Sequence, residues 1–182
     1  MRMGTALAPL LAYPISDILA VLPWEDDPLW DAYQLRQDRY AIHGATRSIV
    51  FKWLQDLAPT HPQPVMIADH LPATLVGAVS DCAAALERHF AGTVVRLLLV
   101  ELAAGAAIPP HRDKGRLLSQ TRRCHVAVLT NPEVRFTIGD EAFHMEEGMA
   151  YEMDNMRTHA VYNPGATRRV HLVCNILPPP DA

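Results

Sequence analysis

The sequence predicts a mainly β fold with supporting helices, its strands closing into a β-barrel or a double-sheet jelly roll. Three observations carry this expectation. Fifteen prolines and nine glycines punctuate 182 residues, the density that short strands and tight turns require. From residue 93 onward, seven or so short segments rich in β-branched and aromatic residues follow one another at close spacing. Before that point a single stretch, 71–90, carries a sustained helical period, with Val76, Val79, Ala83, Leu86 and Phe90 on one face.

Taken in order, "RYAIHGATRSIVFKW" (39–53) reads as one or two strands, followed by a Pro-rich loop "APTHPQP" and a short "VMI". The helix over 71–90 comes next, with Gly92 as its stop signal. "TVVRLLLVELA" is a long buried run ending at Gly105, and the two prolines of "AAIPPHRDKG" are expected to bring it to a stop and fix a rigid approach to His111 and Asp113. "RCHVAVLT" (123–130) is a strand. "VRFTI" and "AFHM" form a hairpin across Gly139-Asp140. "EEG" turns the chain into "MAYEMD", "THAVYN" follows, and "NPGAT" is expected to pair that strand antiparallel with "RRVHLVCNIL". No repeat or low-complexity linker interrupts the chain. It is therefore expected to form a single domain over 1–182. Strands and a helix from 1–92 would pack on the barrel, and 93–177 would form the core that carries the metal site.

Bulk properties exclude several function classes. The chain is 49% hydrophobic and 20% charged, with a net charge of −4 and a pI near 6.1, so it carries no basic footprint for nucleic acid. The apolar N-terminus is broken by Pro9, Pro14 and Asp17 and offers no clean export signal, and no stretch is apolar enough to span a membrane. Cys82, Cys124 and Cys174 are odd in number, widely spaced and set in apolar segments, as reduced core thiols would be. A cytoplasmic protein without nucleic-acid or membrane partners is expected, its oligomeric state open.

The chemistry concentrates in "PPHRDKG". His111 and Asp113 are two residues apart, so on an extended backbone they share a face. An imidazole and a carboxylate make two metal ligands, and His159 in "NMRTHAVYN" is the candidate third. Two imidazoles and one carboxylate form a facial set with open positions, suited to non-haem Fe(II); zinc favours a closed tetrahedral set, and no thiolate lies nearby. A loop histidine and a hydrogen-bonded strand histidine are the alternatives for His111 and His159. Arg169, ten residues after His159, alternates with His171 and Val173 against the continuous apolar set Val170, Leu172, Cys174 and Ile176. It therefore points toward a polar interior where its planar fork suits a carboxylate. Arg168 offers the opposite register. Arg123 and His125 likewise oppose Cys124, Val126 and Val128, leaving His125 either a lumen residue or a satisfied core histidine.

Together, "IPPHRDKGR", "RRCHVAVLT", "EEGMAYEMDN" and "RTHAVYNPGATRRVHLVCNIL" resemble the aspartyl/asparaginyl β-hydroxylase family, over residues 93–177 and more loosely in "HGATRSIVFKW". The resemblance implies a double-stranded β-helix (jelly roll, cupin-like) and an Fe(II)/2-oxoglutarate-dependent dioxygenase. Such an enzyme couples oxidative decarboxylation of 2-oxoglutarate by O₂ to hydroxylation of an unactivated C–H. It implies His111 and His159 as iron ligands and Arg169 as partner of the distal 2-oxoglutarate carboxylate. Arg123 and His125 would hold cosubstrate or an acidic substrate. Asp113 is a variation, since the animal enzymes that name the family lack a carboxylate there. Its presence strengthens the iron reading and weakens the expectation of an Asp or Asn residue as substrate. The short chain carries no repeat-containing or membrane-anchoring extension, so hydroxylation of secreted domains is not implied. No acid/base residue is required, and Glu146, Glu147 and Glu152 are given no catalytic role.

An amino acid, or an amino-acid unit in a peptide or on a carrier, is the substrate the family implies. Substrate-side candidates are His43, Arg47 and Arg157, with Thr46, Ser48, Lys52 and Asn155 beside them; Trp24, Trp30 and Trp53 are candidates for a pocket floor or for packing. Two rivals remain. One is a cupin metalloenzyme without 2-oxoglutarate, using His111, His125 and His159. The other is a non-catalytic small-molecule-binding barrel.

Overall fold

A computed structural model describes residues 4–34, 41–55, 65–66 and 68–179. Eleven strands form two antiparallel sheets. In chain order they are β1 (Leu7–Ala12), β2 (Thr46–Trp53), β3 (Val65–Met66), β4 (Thr93–Leu102), β5 (Ala107–His111), β6 (Arg122–Leu129), β7 (Arg135–Ile138), β8 (Glu141–Phe143), β9 (Met149–Met153), β10 (His159–Tyr162) and β11 (Arg169–Leu177). The larger sheet runs β1-β9-β6-β11-β4-β2-β3 and the smaller β5-β10-β7-β8. This is a mainly β jelly roll with helical support, as the strand spacing predicts. Among the described residues, α1 (Ser16–Val21), α2 (Ala73–Phe90) and α3 (Arg116–Gln120) accompany it.

Strand alternation divides the molecule into an outer core and a lumen. On β11, Val170, Leu172, Cys174 and Ile176 join Val126 and Val128 of β6 and Leu97 and Leu99 of β4 in one buried cluster. Leu75, Val79, Cys82, Ala83 and Leu86 of α2 close that cluster from outside, each buried large aliphatic contributing about 1.5–3 kcal/mol. The three thiols lie inside it, and burial drives them up, Cys82 to about 12. The alternate residues of β4, β6 and β11 face the smaller sheet, and the lumen lies between.

Several elements differ from the expectation. The long apolar run of β4 stops at Leu102, and the chain reverses through a turn with Gly105 at φ +72°. Pro109 and Pro110 do not end it. They lie inside β5, an edge strand, where a missing N–H costs no ladder bond. "NPGAT" is not a hairpin turn either: β10 pairs with β5 and β7, while β11 pairs with β4 and β6. The segment instead carries the chain from one sheet to the other, and Asn163 Nδ2 ties it down through the Leu102, Ala103 and Thr167 carbonyls. Residues 41–43 form a 3-10 turn rather than strand, while Arg39, Tyr40, the loop 58–64 and Ile67 lie outside the described residues. The N-terminal strands extend both ends of the larger sheet rather than packing over it. The hairpin at Gly139-Asp140 forms as expected, with Ile138 opposite Glu141, and "EEG" is a turn closed by Met149 N donating to Glu146 O.

The stop of α2 also has a different cause. Ala91, not Gly92, takes the left-handed conformation (φ +47°). Gly92 is needed for close approach, because a Cβ there would stand 2.6 Å from Leu177 O and 2.8 Å from Ile176 Cγ2. Gly92→Ala is expected to destabilise the protein by about 1–3 kcal/mol through overpacking. Gly77→Ala, exposed on α2 with nothing within 4 Å of the new methyl, should stabilise by about 0.5–1 kcal/mol. Paired urea denaturation curves check both signs.

Candidate metal centre

The lumen opens as a cavity of about 570 Å³, and His111, Asp113 and His159 all line it. One donor atom from each of the three lies within 4.8 Å of the others. Register explains the meeting. His159 of β10 is the direct partner of His111 of β5, and the pairing then slips, with Val161 opposite Ile108. Three residues of β5 thus span two of β10, a bulge of the kind that re-aims side chains. It falls on Pro109-Pro110, so the prolines shape the approach to His111 after all. The imidazole centroids are 4.2 Å apart.

Backbone carbonyls set both tautomers. His111 Nδ1 donates to Pro109 O at 2.8 Å, and His159 Nδ1 donates to Arg157 O at 2.9 Å. Each ring is left with its Nε2 lone pair for a metal, the arrangement ligating histidines characteristically show. Burial lowers the pKa of His159 and keeps it neutral; its carbonyl partner and Asp113 oppose that only in part.

Asp113 is the most tightly held of the three. Its Oδ2 accepts from Arg123 Nη2 at 2.8 Å and from Asn155 Nδ2 at 3.0 Å, and its backbone N–H donates to Asn155 O at 3.2 Å. Desolvation pushes the carboxyl upward. Arg123, His159 and the Asn155 hydrogen bond outweigh it and hold the group at about 2. The carboxylate is therefore ionised, with one oxygen restrained and the other available. Two imidazole nitrogens and one carboxylate oxygen are a donor set that fits Fe(II).

Arg169 is 1% exposed and lines the same cavity, its guanidinium 4.9 Å from the centroid of the Phe136 ring. It reaches the lumen from the sheet opposite His159, not from a neighbouring strand. On β11 it pairs with Leu102, whereas Arg123 pairs with Asn175 six residues on, about 20 Å along the strand. The two arginines therefore mark opposite ends. Arg168 takes the outer register, donating to Glu101 Oε1 at 3.0 Å and Pro23 O at 2.7 Å. His125 lines the cavity on the Arg123 face. Burial, then Arg169 and Arg123, push its pKa well down, and neither ring nitrogen has a hydrogen-bond partner among the described residues. His171, on the Arg169 face, is equally buried and stacks on Phe136 at 5.4 Å.

The substrate-side candidates separate. His43 lines the cavity, 5.8 Å from the His111 ring. Arg47 does not: its Nε donates to Glu101 Oε2 at 2.6 Å and its Nη2 to Glu25 O, on the outer side of the sheet. Arg157 is also outside the cavity, 3.5 Å from Glu141 and 4.0 Å from Asp154. Sequence alternation could not show that Glu101, buried on the outer face, would claim Arg47. Thr46 and Ser48 are buried and Lys52 lies toward α2. Trp53 lines the cavity, Trp30 is core and Trp24 is exposed. Asn155, grouped with the substrate candidates from its position before His159, instead holds Asp113. Arg96, Arg112 and Lys114 at the cavity wall escaped notice, although Arg112 and Lys114 flank Asp113 in the sequence.

Two histidines and an aspartate thus meet at one end of a jelly-roll lumen that an arginine lines at the other. The model of the family described as Aspartyl/Asparaginyl beta-hydroxylase matches residues 66–179, more than half of the chain, and the chain belongs to that family of hydroxylases. Among solved structures it is similar to an oxidoreductase of the 2OG-Fe(II) oxygenase family from Burkholderia pseudomallei. That match has 15% identity and a TM-score of 0.60 over 94% of this chain and 84% of the other. It is also similar to a Pseudomonas putida prolyl-4-hydroxylase, with 13% identity and a TM-score of 0.54 over 97% and 94%. At such identities these two establish the fold. No curated protein matches the sequence. Among the described residues, no helix is long and apolar enough to cross a membrane.

The Asp113 clamp generates an expectation. Asn155→Ala should weaken divalent-metal affinity by roughly 10–100-fold, the usual effect of removing a group that orients a ligand. Competition for Fe(II) or Mn(II) against a metallochromic chelator measures it.

Proposed function

We propose that this chain is an Fe(II)/2-oxoglutarate-dependent dioxygenase that hydroxylates an unactivated C–H of an amino acid, or of an amino-acid unit in a peptide or on a carrier. The observation that carries the reading is the convergence of His111, Asp113 and His159 within 4.8 Å, in a cavity that Arg169 also lines. Iron and 2-oxoglutarate, when bound with O₂, supply the oxidising power, and CO₂ and succinate leave as co-products.

The protein's own residues bind, orient and exclude water. His111 and His159 present Nε2, and Asp113 presents the oxygen that Arg123 and Asn155 leave open. Arg169, buried against the Phe136 ring, receives the distal carboxylate of the cosubstrate through its bidentate fork. His125, neutral and with unused ring nitrogens, is positioned to hydrogen-bond the cosubstrate between metal and arginine. Arg123 restrains the metal carboxylate, so its part in holding cosubstrate or substrate comes second. Leu98, Val100, Ile108 and Val161 wall the lumen with apolar surface, which strengthens each charge interaction within it. Against a three-histidine site stands the donor group itself: it contains Asp113 and not His125.

Anaerobic titration with Fe(II) and then 2-oxoglutarate tests this by the weak visible charge-transfer band of chelated cosubstrate. The wild type should show the band, Arg169→Ala should require roughly 10-fold or more additional 2-oxoglutarate, and His159→Ala should show none. Iron binding without a band at saturating 2-oxoglutarate would overturn the reading.

A further inference from the structure

Phe136 is a point at which the two sheets meet inside the lumen. It stands on β7 of the smaller sheet, opposite Val161 of β10, and alternation along that strand turns it inward. Its ring is 1% exposed and lines the cavity. From there it touches three lumen-facing side chains of the larger sheet. The Arg169 guanidinium carbon stands 4.9 Å from the ring centroid. His171 stacks on the ring at 5.4 Å with the planes 18° apart, and His125 meets it edge-on at 5.8 Å.

Register sets these three in order along the larger sheet. Arg169 and His171 are successive lumen residues of β11, and His125 of β6 is opposite Val173, the next one. Arg169 and Val173 therefore lie about 13 Å apart along the strand, and Phe136 fills the interval. Arg169, Val173, His125 and Phe136 line the cavity, whereas His171 is fully buried beneath the Phe136 ring. A ring in this position is a floor, and a molecule stretched between His125 and Arg169 passes over it. It also restricts the guanidinium, because the aromatic face attracts the cation and the ring occupies the space toward His171.

We infer that Phe136 is a specificity-determining residue for the length of the 2-oxo diacid. It fixes the depth at which Arg169 meets the distal carboxylate, so that 2-oxoglutarate fits and its next higher homologue, 2-oxoadipate, does not. The inference rests on the oxygenase reading, which puts the diacid between metal and arginine, and it names the side chain that measures the diacid. The selection is steric. A buried ring packed against three neighbours yields to an added methylene only with strain. One methylene too many or too few in a fitted apolar site changes affinity by roughly 10- to 200-fold. With the ring cut back, the space in front of His171 opens to the guanidinium and to a longer chain.

Calorimetric titration of the Mn(II)-loaded protein with 2-oxoglutarate and with 2-oxoadipate gives the test, read as the ratio of the two dissociation constants. The wild type should favour 2-oxoglutarate by at least about tenfold. Phe136→Leu, which keeps an apolar side chain, should lower that preference by roughly threefold or more, and Phe136→Ala should abolish it. Val134→Ala is the control. Val134 is buried in the same cluster as Phe136 and is not among the residues lining the cavity, so its truncation loosens the core and should leave the ratio within about twofold. Urea transitions establish that each variant is folded, and Phe136→Leu decides the matter if Phe136→Ala is not. A ratio unmoved in the folded Phe136 variants overturns the inference. So does a wild type that binds both acids alike, or a Val134→Ala shift equal to that of Phe136→Leu. The oxygenase reading fails by a different result: a wild type that binds neither acid removes that reading and this inference together, whereas 2-oxoglutarate binding with an unmoved ratio removes the inference alone.

Discussion

The clamp on Asp113 is the interaction on which the site depends. A carboxylate this buried is costly unless paired and hydrogen-bonded, and its partners come from distant parts of the chain. Arg123 lies on β6 of the larger sheet and Asn155 on the loop that leads to His159. Asn155 uses both ends, with its side-chain amide on the carboxylate and its carbonyl on the Asp113 N–H. One network therefore ties the loop after β5, the larger sheet and the approach to β10 together at the point where two of the three candidate ligands must keep their spacing. Loosening it would move a ligand without touching one.

The imidazoles are held by a different means. Each donates Nδ1–H to the carbonyl two residues before it, Pro109 for His111 and Arg157 for His159. These are local contacts set by backbone shape, and the β5 bulge supplies that shape for His111. The candidate site thus combines two imidazoles oriented by local contacts with one carboxylate oriented by tertiary contacts.

Electrostatics then separate the two ends of the lumen. Arg169 is buried against the Phe136 ring on the lumen face of β11. Arg112 and Lys114, on the loop after β5, are exposed where they line the cavity. Arg47 and Arg168 take no part: both are paired on the outer face with the buried Glu101, and Arg47 also stands 3.9 Å from Asp31.

The division between local and tertiary information is visible in particular residues. Alternation along "RRVHLVCNIL" and "RCHVAVLT" sufficed to turn Arg169, Arg123 and His125 inward, because strand periodicity is a property of the backbone and the apolar face must be buried. The His-x-Asp spacing, the Gly139-Asp140 hairpin and the α2 period were legible for the same reason. Sheet partners were not. Whether "NPGAT" closes a hairpin or crosses between sheets depends on which edge is free when the strands assemble, and Arg169 consequently approaches from the opposite wall. Nor did spacing separate Asn155 from Arg157, although only the first reaches the site, since loop geometry decides which side chain turns in. The sequence by itself determined the strand faces, the three candidate ligands and the inward arginine, all consequences of short-range periodicity and burial. Only the tertiary structure decided which charges are already paired and which face the cavity, because pairing depends on contacts between residues far apart in the chain.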